Sequence, residues 1–206
     1  LKSLLLPWLL VMVLGMYSAV GHADTGSAES RQVYLLLSYD WLDVADADFD
    51  NSLSAEAGVL WPLQQRFYLE AAVTGINDAS TPTQEDNTGS YQLTLDSVEL
   101  LAGIHYQTET DWMDSLVLFG RGGLLAYRME ITLDEAFYGL KPSGSDTASD
   151  SGWGFYVGAG VLWDLKNRWL LRSEFTYKQR SDFLDDSSKP FDVRSTGINI
   201  GIARTF

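Results

Sequence analysis

Trp153-Gly154-Phe155-Tyr156-Val157-Gly158-Ala159-Gly160-Val161-Leu162-Trp163 alternates without a break: Trp153, Phe155, Val157, Ala159, Val161 and Trp163 share one side, and Gly154, Tyr156, Gly158 and Gly160 the other. The period is two residues, that of an extended strand rather than a helix. The two tryptophans stand ten residues apart. On a strand rising ~3.3 Å per residue and tilted by ~40°, that separation spans ~25 Å along a barrel axis, the height of the apolar band on a membrane-spanning barrel. Amphipathic rings favour the two interfaces that bound such a band.

The same alternation extends on both sides of this segment. Val33, Leu35, Leu37, Tyr39 and Trp41 alternate with Gln32, Tyr34, Ser38 and Asp40; Leu53, Ala55, Ala57, Val59 and Trp61 with Ser54, Glu56 and Gly58. Phe67, Leu69, Ala71 and Val73 alternate with Tyr68, Glu70, Ala72 and Thr74. A fourth run, about 90–107, shifts its apolar phase from Tyr91-Leu93-Leu95 to Val98-Leu100-Ala102-Ile104-Tyr106, which predicts a bulge near Asp96-Ser97. The fifth, about 115–132, is nearly apolar on both faces. After 153–163, Trp169, Leu171, Phe175 and Tyr177 alternate with Arg172, Glu174, Thr176 and Lys178, and Ile198, Ile200 and Ile202 with Asn199, Gly201 and Ala203. The expectation is an all-β fold, an eight-stranded antiparallel up-and-down transmembrane β-barrel over 32–206. Short links (62–65, 108–114, 164–167) alternate with long polar ones (42–51, 77–89, 133–152, 182–192), so turns gather on one rim and loops on the other.

Alternation alone leaves open which face is outside, because a lipocalin-type barrel has the same period with its apolar face inward. The aromatics decide it. Tyr39, Trp41, Tyr91, Trp153 and Tyr177 fall at the long-loop rim, and Trp61, Phe67, Tyr106, Trp163 and Trp169 at the short-turn rim. A soluble barrel has no reason to place its rings in two hoops. The opposite face carries Glu56, Glu70, Glu99, Arg121, Arg172 and Glu174, a set expected to form a polar network in the lumen. An Arg or Lys turned to lipid at mid-bilayer would cost ~2–4 kcal/mol, whereas a narrow lumen lets opposite charges pair.

The run from Trp153 to Val161, continued by Trp169-Leu170-Leu171-Arg172-Ser173-Glu174-Phe175-Thr176-Tyr177, resembles the outer membrane protein β-barrel superfamily, which includes the barrel of outer membrane protein A. Phe119-Gly120-Arg121-Gly122-Gly123 is similar to a glycine-rich stretch of the same group. Ile198, Ile200, Ile202 and Phe206 resemble the C-terminal signal read by the barrel-insertion machinery, with Arg204 where the family usually has an aromatic. The resemblance implies a closed or barely conducting barrel with surface loops. It assigns no ligand, and the namesake's periplasmic peptidoglycan-binding domain is not expected.

Lys2, the apolar run Leu4–Leu14 and the small residues ending at Gly21-His22-Ala23 predict a signal peptide over 1–23, cleaved before Asp24, with a short periplasmic segment at 24–31. Cysteine is absent, which excludes disulfides, thiolate metal sites, a cysteine nucleophile and lipidation at a cysteine. A formal net charge of −14 without a basic patch excludes nucleic acid as a partner.

Two arrangements invite a chemical reading. His105 is the single histidine after the signal peptide, and lipid-modifying barrels use a histidine near a serine and a carboxylate. Its register puts it at the inward, short-turn end of the fourth strand, so a hydrogen-bonded lumen histidine is the favoured reading. Asp46, Asp48 and Asp50, followed by Glu56, resemble a calcium loop, but Asn51 stands where the sharp turn needs glycine and Glu56 comes one residue early. No metal or cofactor is expected. The expected role is a non-enzymatic barrel serving envelope integrity or surface interaction through acidic extracellular loops, with both mature termini periplasmic. Its expected partners are outer-membrane lipid, lipopolysaccharide, the insertion machinery and an unidentified extracellular partner. A small porin-like channel or conduit for ions or small hydrophobic solutes is the alternative; a lipid-modifying enzyme is disfavoured.

Overall fold

The computed structural model describes residues 31–44, 47–110, 113, 115–139, 143–184 and 191–206. The expected signal peptide and nearly all of the segment after it lie outside the described residues. Nine strands follow in order: β1 (Gln32–Val44), β2 (Ser52–Gln64), β3 (Phe67–Ser80), β4 (Gln84–Glu85), β5 (Gly89–Glu109), β6 (Leu116–Phe137), β7 (Gly144–Asp164), β8 (Trp169–Phe183) and β9 (Phe191–Thr205). All pairings are antiparallel, in the order β3-β2-β1-β9-β8-β7-β6-β5-β4, and β3 also pairs with β5. That last pairing closes the sheet into an eight-stranded barrel, with the two-residue β4 appended to the edge of β5. Closure leaves no unpaired strand edge around the girdle, as hydrocarbon requires.

Side-chain exposure follows the period of two. Leu37, Leu53, Leu100, Leu124, Ile198 and Ile200 point outward and are each more than half exposed. Their neighbours in sequence, among them Leu36, Ser54, Glu99, Leu125 and Asn199, are buried. So continuous an apolar exterior far exceeds the few hundred Å² that a soluble monomer tolerates. Lipid is its solvent.

The structure departs from the sequence reading in three places, each with a physical cause. β5 has no bulge: its ladder with β6 runs unbroken from Gly89↔Phe137 to Glu109↔Val117. The irregularity lies on β3, where Ile76 pairs with Ser97 and Ala79 with Leu95. Asn77 and Asp78 thus stand opposite the single residue Asp96, one residue more than the ladder needs, and Asp78 takes a left-handed φ of 63°. Its backbone N–H donates to Asp96 Oδ1 at 2.9 Å. Leu93 and Leu95 therefore continue the lumen phase of Glu99, and they are apolar because the top of the lumen is apolar.

The second departure is the third long loop. Residues 133–152 are largely a continuation of the β6–β7 hairpin, paired as far as Glu135↔Gly144. Polar composition suggested loop, but the alternating hydroxyls pair across the hairpin, as Thr132 and Thr147 do at 3.2 Å. The third departure is at 182–192: β8 reaches Phe183 and β9 begins at Phe191, with a bulge between Arg180 and Phe183.

Candidate functional site: the charged lumen

Strands β1, β2, β3, β6, β7 and β8 each send a charged or phenolic group to one level of the lumen. Arg121 on β6 is its centre. Its Nη1 donates to Glu56 Oε1 (2.5 Å), Glu70 Oε1 (3.1 Å) and the Tyr34 hydroxyl (3.2 Å), and its Nη2 to Glu174 Oε1 (2.5 Å). Arg172 holds Glu174 Oε2 with Nε (2.9 Å) and Nη2 (2.7 Å), and lies 3.6 Å from Glu70. Its guanidinium stacks over Tyr34, 4.0 Å from the ring centroid, and over Phe119 at 4.6 Å.

Two tyrosines brace the carboxylates. The Tyr34 hydroxyl donates to Glu70 Oε1 at 2.7 Å, and the Tyr156 hydroxyl to Glu70 Oε2 at 3.0 Å. Glycines make room for both rings. A Cβ on Gly58 would stand 2.3 Å from the Tyr34 ring, and one on Gly103 would stand 2.5 Å from the Tyr156 hydroxyl. These glycines are spaces for phenols rather than flexible joints.

Above this level lies a second pair of cations. Lys178 Nζ sits 3.6 Å from Glu56 Oε2 and 3.5 Å from Glu99 Oε2. Arg180 Nε donates to Glu99 Oε1 at 2.5 Å, and its Nη1 to the Ser195 hydroxyl at 3.1 Å. Asp40 accepts from Ser54 Oγ at 2.5 Å. Among the described residues, the buried carboxylates Asp40, Glu56, Glu70, Glu99 and Glu174 thus face the buried cations Arg121, Arg172, Lys178 and Arg180. The lumen is close to charge-balanced while the whole chain is strongly acidic.

A different chemistry closes the mouth on the long-loop side. Val44, Phe49, Ile76, Ala79, Leu95, Met129, Phe183 and Val193 are buried there together. The first loop folds inward to supply Phe49, and the Asp50 N–H donates to Ser80 O at 2.8 Å, which pins it to β3.

A closed eight-stranded up-and-down barrel with charged groups inside and apolar chains outside is the architecture that a family comparison also returns. A family model, the outer membrane protein beta-barrel domain, matches residues 9–206. The chain belongs to this family. No curated protein sequence matches it. Among solved structures it is similar to a major outer membrane protein from Thermus thermophilus (TM-score 0.54, 8% identity, covering 87% of this chain and 100% of that one). It is also similar to OprG from Pseudomonas aeruginosa (0.51, 9%, 87% and 96%). A third is Ail, the attachment invasion locus protein of Yersinia pestis, in complex with the heparin analogue sucrose octasulfate (0.50, 11%, 85% and 99%). These likenesses concern the fold. The chain is an integral protein of the bacterial outer membrane.

The other residues singled out from the sequence of this outer-membrane barrel are placed as follows. Tyr39, Trp41, Trp61, Phe67, Tyr106, Trp153, Trp163, Trp169 and Tyr177 lie on the outer face, several in pairs: Tyr39 meets Trp41 edge-on at 5.2 Å, and Phe67 meets Tyr106 at 5.0 Å. Tyr91 does not join them. With no bulge in β5, it shares the face of Leu93 and Leu95 above the mouth, and its hydroxyl donates to Gln84 on β4. Ile198, Ile200 and Ile202 point outward on β9. Arg204 lies on the same side with its guanidinium 5.2 Å from the rings of both Trp169 and Phe206. A cation held between two rings thus stands at the position that departs from the family pattern.

His105 is fully buried, stacked on Phe119 at 4.7 Å, with Nε2 3.1 Å from Gln107 Nε2 and Nδ1 4.0 Å from Glu70 Oε1. Of the acidic set in the first loop, Asp46 lies outside the described residues, and Glu56 is committed to Arg121 inside the barrel. Reading from sequence missed Arg180, Tyr34 and Tyr156 as members of the network. The signal for Arg180 was available, since it continues the parity of Arg172, Glu174, Thr176 and Lys178 by one more step.

Proposed function

We propose that this barrel is non-enzymatic and closed through its length, and that it serves envelope integrity or surface contact through acidic loops on the outside of the cell. The observation that carries this reading is the tie of Arg121 to Glu56, Glu70 and Glu174, which crosses the lumen from β6 to β2, β3 and β8. Side chains that already fill a narrow interior leave no aqueous path. The apolar mouth adds a second barrier, and His105, packed beneath the network, is out of reach of a lipid substrate.

In this reading the long-loop rim faces outward and both mature termini face the periplasm after removal of 1–23. The outward aromatics mark the two interfaces, and Ile198, Ile200, Ile202 and Phe206 form the strand that the insertion machinery reads. The long-loop end of the barrel carries Asp43, Asp48, Asp50, Glu85, Asp86, Asp134, Glu135 and Asp146, none of them buried. So acidic a rim contacts lipopolysaccharide through bridging divalent ions and disfavours polyanionic partners. Ail, which was crystallised with a sulfated heparin analogue, is therefore a guide to architecture and not to the charge of a partner.

Planar-bilayer recording of the purified, folded protein tests the reading. A closed barrel gives no discrete conductance steps. Reproducible steps would favour a small channel. Loss of a lipid A modification on His105→Ala would restore the enzymatic reading.

A further inference from the structure

Cations outside the lumen are not spread evenly over this acidic chain. Among the described residues, Arg31, Arg66, Lys166, Arg168 and Arg204 lie at the short-turn end, and none of them is buried. The described carboxylates at that end, Glu109 and Asp164, are turned to other tasks. Glu109 continues the lumen parity of the buried His105, and Asp164 Oδ1 accepts from the Lys166 N–H at 2.7 Å. The long-loop end has the reverse balance: Arg128 and Arg194 stand there among many carboxylates, and Arg194 lies within 4 Å of both Asp43 and Asp192. The short-turn rim is the basic end of an acidic molecule.

Strand order β3-β2-β1-β9-β8-β7 gathers these five cations on one arc of the rim. Arg66 lies in the β2–β3 turn, Arg31 before β1, Arg204 near the end of β9, and Lys166 and Arg168 in the β7–β8 turn. Backbone bonds fix the middle of the arc: the Phe206 N–H donates to Arg31 O at 2.9 Å, and the Thr205 N–H to Arg168 O at 3.0 Å. A guanidinium meets two outward rings at each end of it. Arg204 lies 5.2 Å from the rings of Trp169 and Phe206. The Arg66 side chain hydrogen-bonds the Tyr106 hydroxyl, and the Tyr106 ring packs on Phe67 at 5.0 Å. Arg66, Phe67 and Tyr106, with Gln64 and Gln65, line a surface groove of about 570 Å³. Both places put a cation beside rings that face hydrocarbon, the layering of a lipid's phosphate over its acyl chains.

We propose that this arc binds anionic glycerophospholipids of the leaflet that the short turns face, one in the Arg66 groove and one beside Arg204. The guanidinium N–H groups donate to phosphate oxygens, a planar match that arginine makes well. Phe67 and Tyr106 in the first place, and Trp169 and Phe206 in the second, lie against the upper acyl chains. Charge selects the head. A zwitterionic lipid brings its own amine, which the arc repels, whereas a glycerol head leaves the phosphate charge to the arginines. The leaflet rests on the reading above that the short turns face the periplasm. Binding in a symmetric vesicle does not depend on it.

The test uses the folded protein in dimyristoyl phosphatidylcholine vesicles containing a trace of phosphatidylglycerol with a diazirine near the head end of one acyl chain. After illumination, labelled positions are mapped by mass spectrometry. Label is expected to concentrate on 64–67 and 106 and on 168–169 and 204–206, several-fold above the opposite rim at 39–41 and 153. A phosphatidylethanolamine probe with the same chain is expected to label those positions several-fold less. Arg66→Gln changes an exposed side chain and keeps the backbone bond from Gln107 N to residue 66. It is expected to lower label at 64–67 and 106 about fivefold, the effect of one cation at an anionic surface, with 204–206 unchanged as the internal control. Arg204→Gln is expected to do the reverse. Equal labelling by the two heads, label shared evenly between the rims, or a pattern unchanged in Arg66→Gln would overturn the proposal. The leaflet is read separately, from Ser145→Cys in whole cells, which is expected to react with a membrane-impermeant maleimide. No reaction, with the vesicle pattern intact, would overturn the orientation and not the site.

Discussion

The middle of the lumen and its mouth are both filled by side chains, but of opposite kinds. In the middle, Arg121 bonds three carboxylates contributed by three different strands. At the mouth, Phe49, Met129, Phe183 and their neighbours exclude water with no directional bond among them. The difference concerns how each closure fails. A buried ion network has little reserve, because removing one partner leaves the others charged and unpaired. An apolar cluster gives way gradually, as neighbours partly fill the space left behind. The ionic layer also fixes register: a one-residue slip of any strand would turn its charge to lipid, whereas the mouth would merely repack. Replacing the ionic layer with apolar residues of equal volume need not cost stability, so its contribution is specificity more than strength.

The contrast can be broken most sharply at Arg121. Arg121→Ala removes the one cation shared by Glu56, Glu70 and Glu174, leaving Arg172, Lys178 and the tyrosines to hold three carboxylates, and is expected to cost about 3–5 kcal/mol of folding stability, read by urea unfolding monitored by gel migration in lipid vesicles. A loss below about 1 kcal/mol would mean that the carboxylates reach water or other cations and that the layer is not sealed. At the mouth, Phe49→Ala is expected to cost about 3 kcal/mol, the low end for a buried ring, because the loop that carries it is pinned by the Asp50–Ser80 backbone bond and can settle into the space. The same denaturation series measures it, and a cost equal to that of Arg121→Ala would erase the contrast.

A smaller effect is expected outside the membrane, in the turn before β5. The Asp86 carboxylate accepts from the Thr88 hydroxyl and from the backbone N–H groups of Thr88 and Gly89, and these bonds hold its pKa below the usual aspartate value. A depressed folded-state pKa means that the turn is supported above the ordinary aspartate value and loses that support as pH falls through the lower one. The Thr88 and Gly89 amide resonances are therefore expected to shift together in that lower range, and to lose that dependence in Asp86→Asn. A shift centred on the ordinary aspartate range would show that the bonds do not form.

What the sequence showed of all this depended on how local the cause was. Strand β7 was legible because glycine and tryptophan placement on alternate faces needs no knowledge of neighbours. The charged set Glu56, Glu70, Glu99, Arg121, Arg172 and Glu174 was legible because charge on the inner parity has nowhere else to go. Tyr91 was misplaced because Leu93 and Leu95 are apolar, and a binary pattern cannot separate an apolar chain in lipid from one in a dry barrel mouth. The β3 bulge was hidden for a related reason: Asn77-Asp78 has the composition of a loop, and only pairing with β5 shows it inside a strand. The early end of the β7–β8 ladder at Gly154↔Arg180 was not legible at all, since β7 continues with β6 and β8 with β9, and only the pairing shows where the two part.

The absence of cysteine makes one measurement especially direct. Single cysteines introduced on β9 at 195, 198, 199, 200, 202 and 203, leaving Gly197 and Gly201 in place, spin-labelled and reconstituted in bilayers, report oxygen accessibility residue by residue. Labels at 198, 200 and 202 are expected to meet oxygen dissolved in hydrocarbon, while those at 195, 199 and 203 are shielded. The reverse phase, with the odd positions in hydrocarbon, or no period at all, would contradict the assignment of apolar faces to lipid and ionisable groups to the interior.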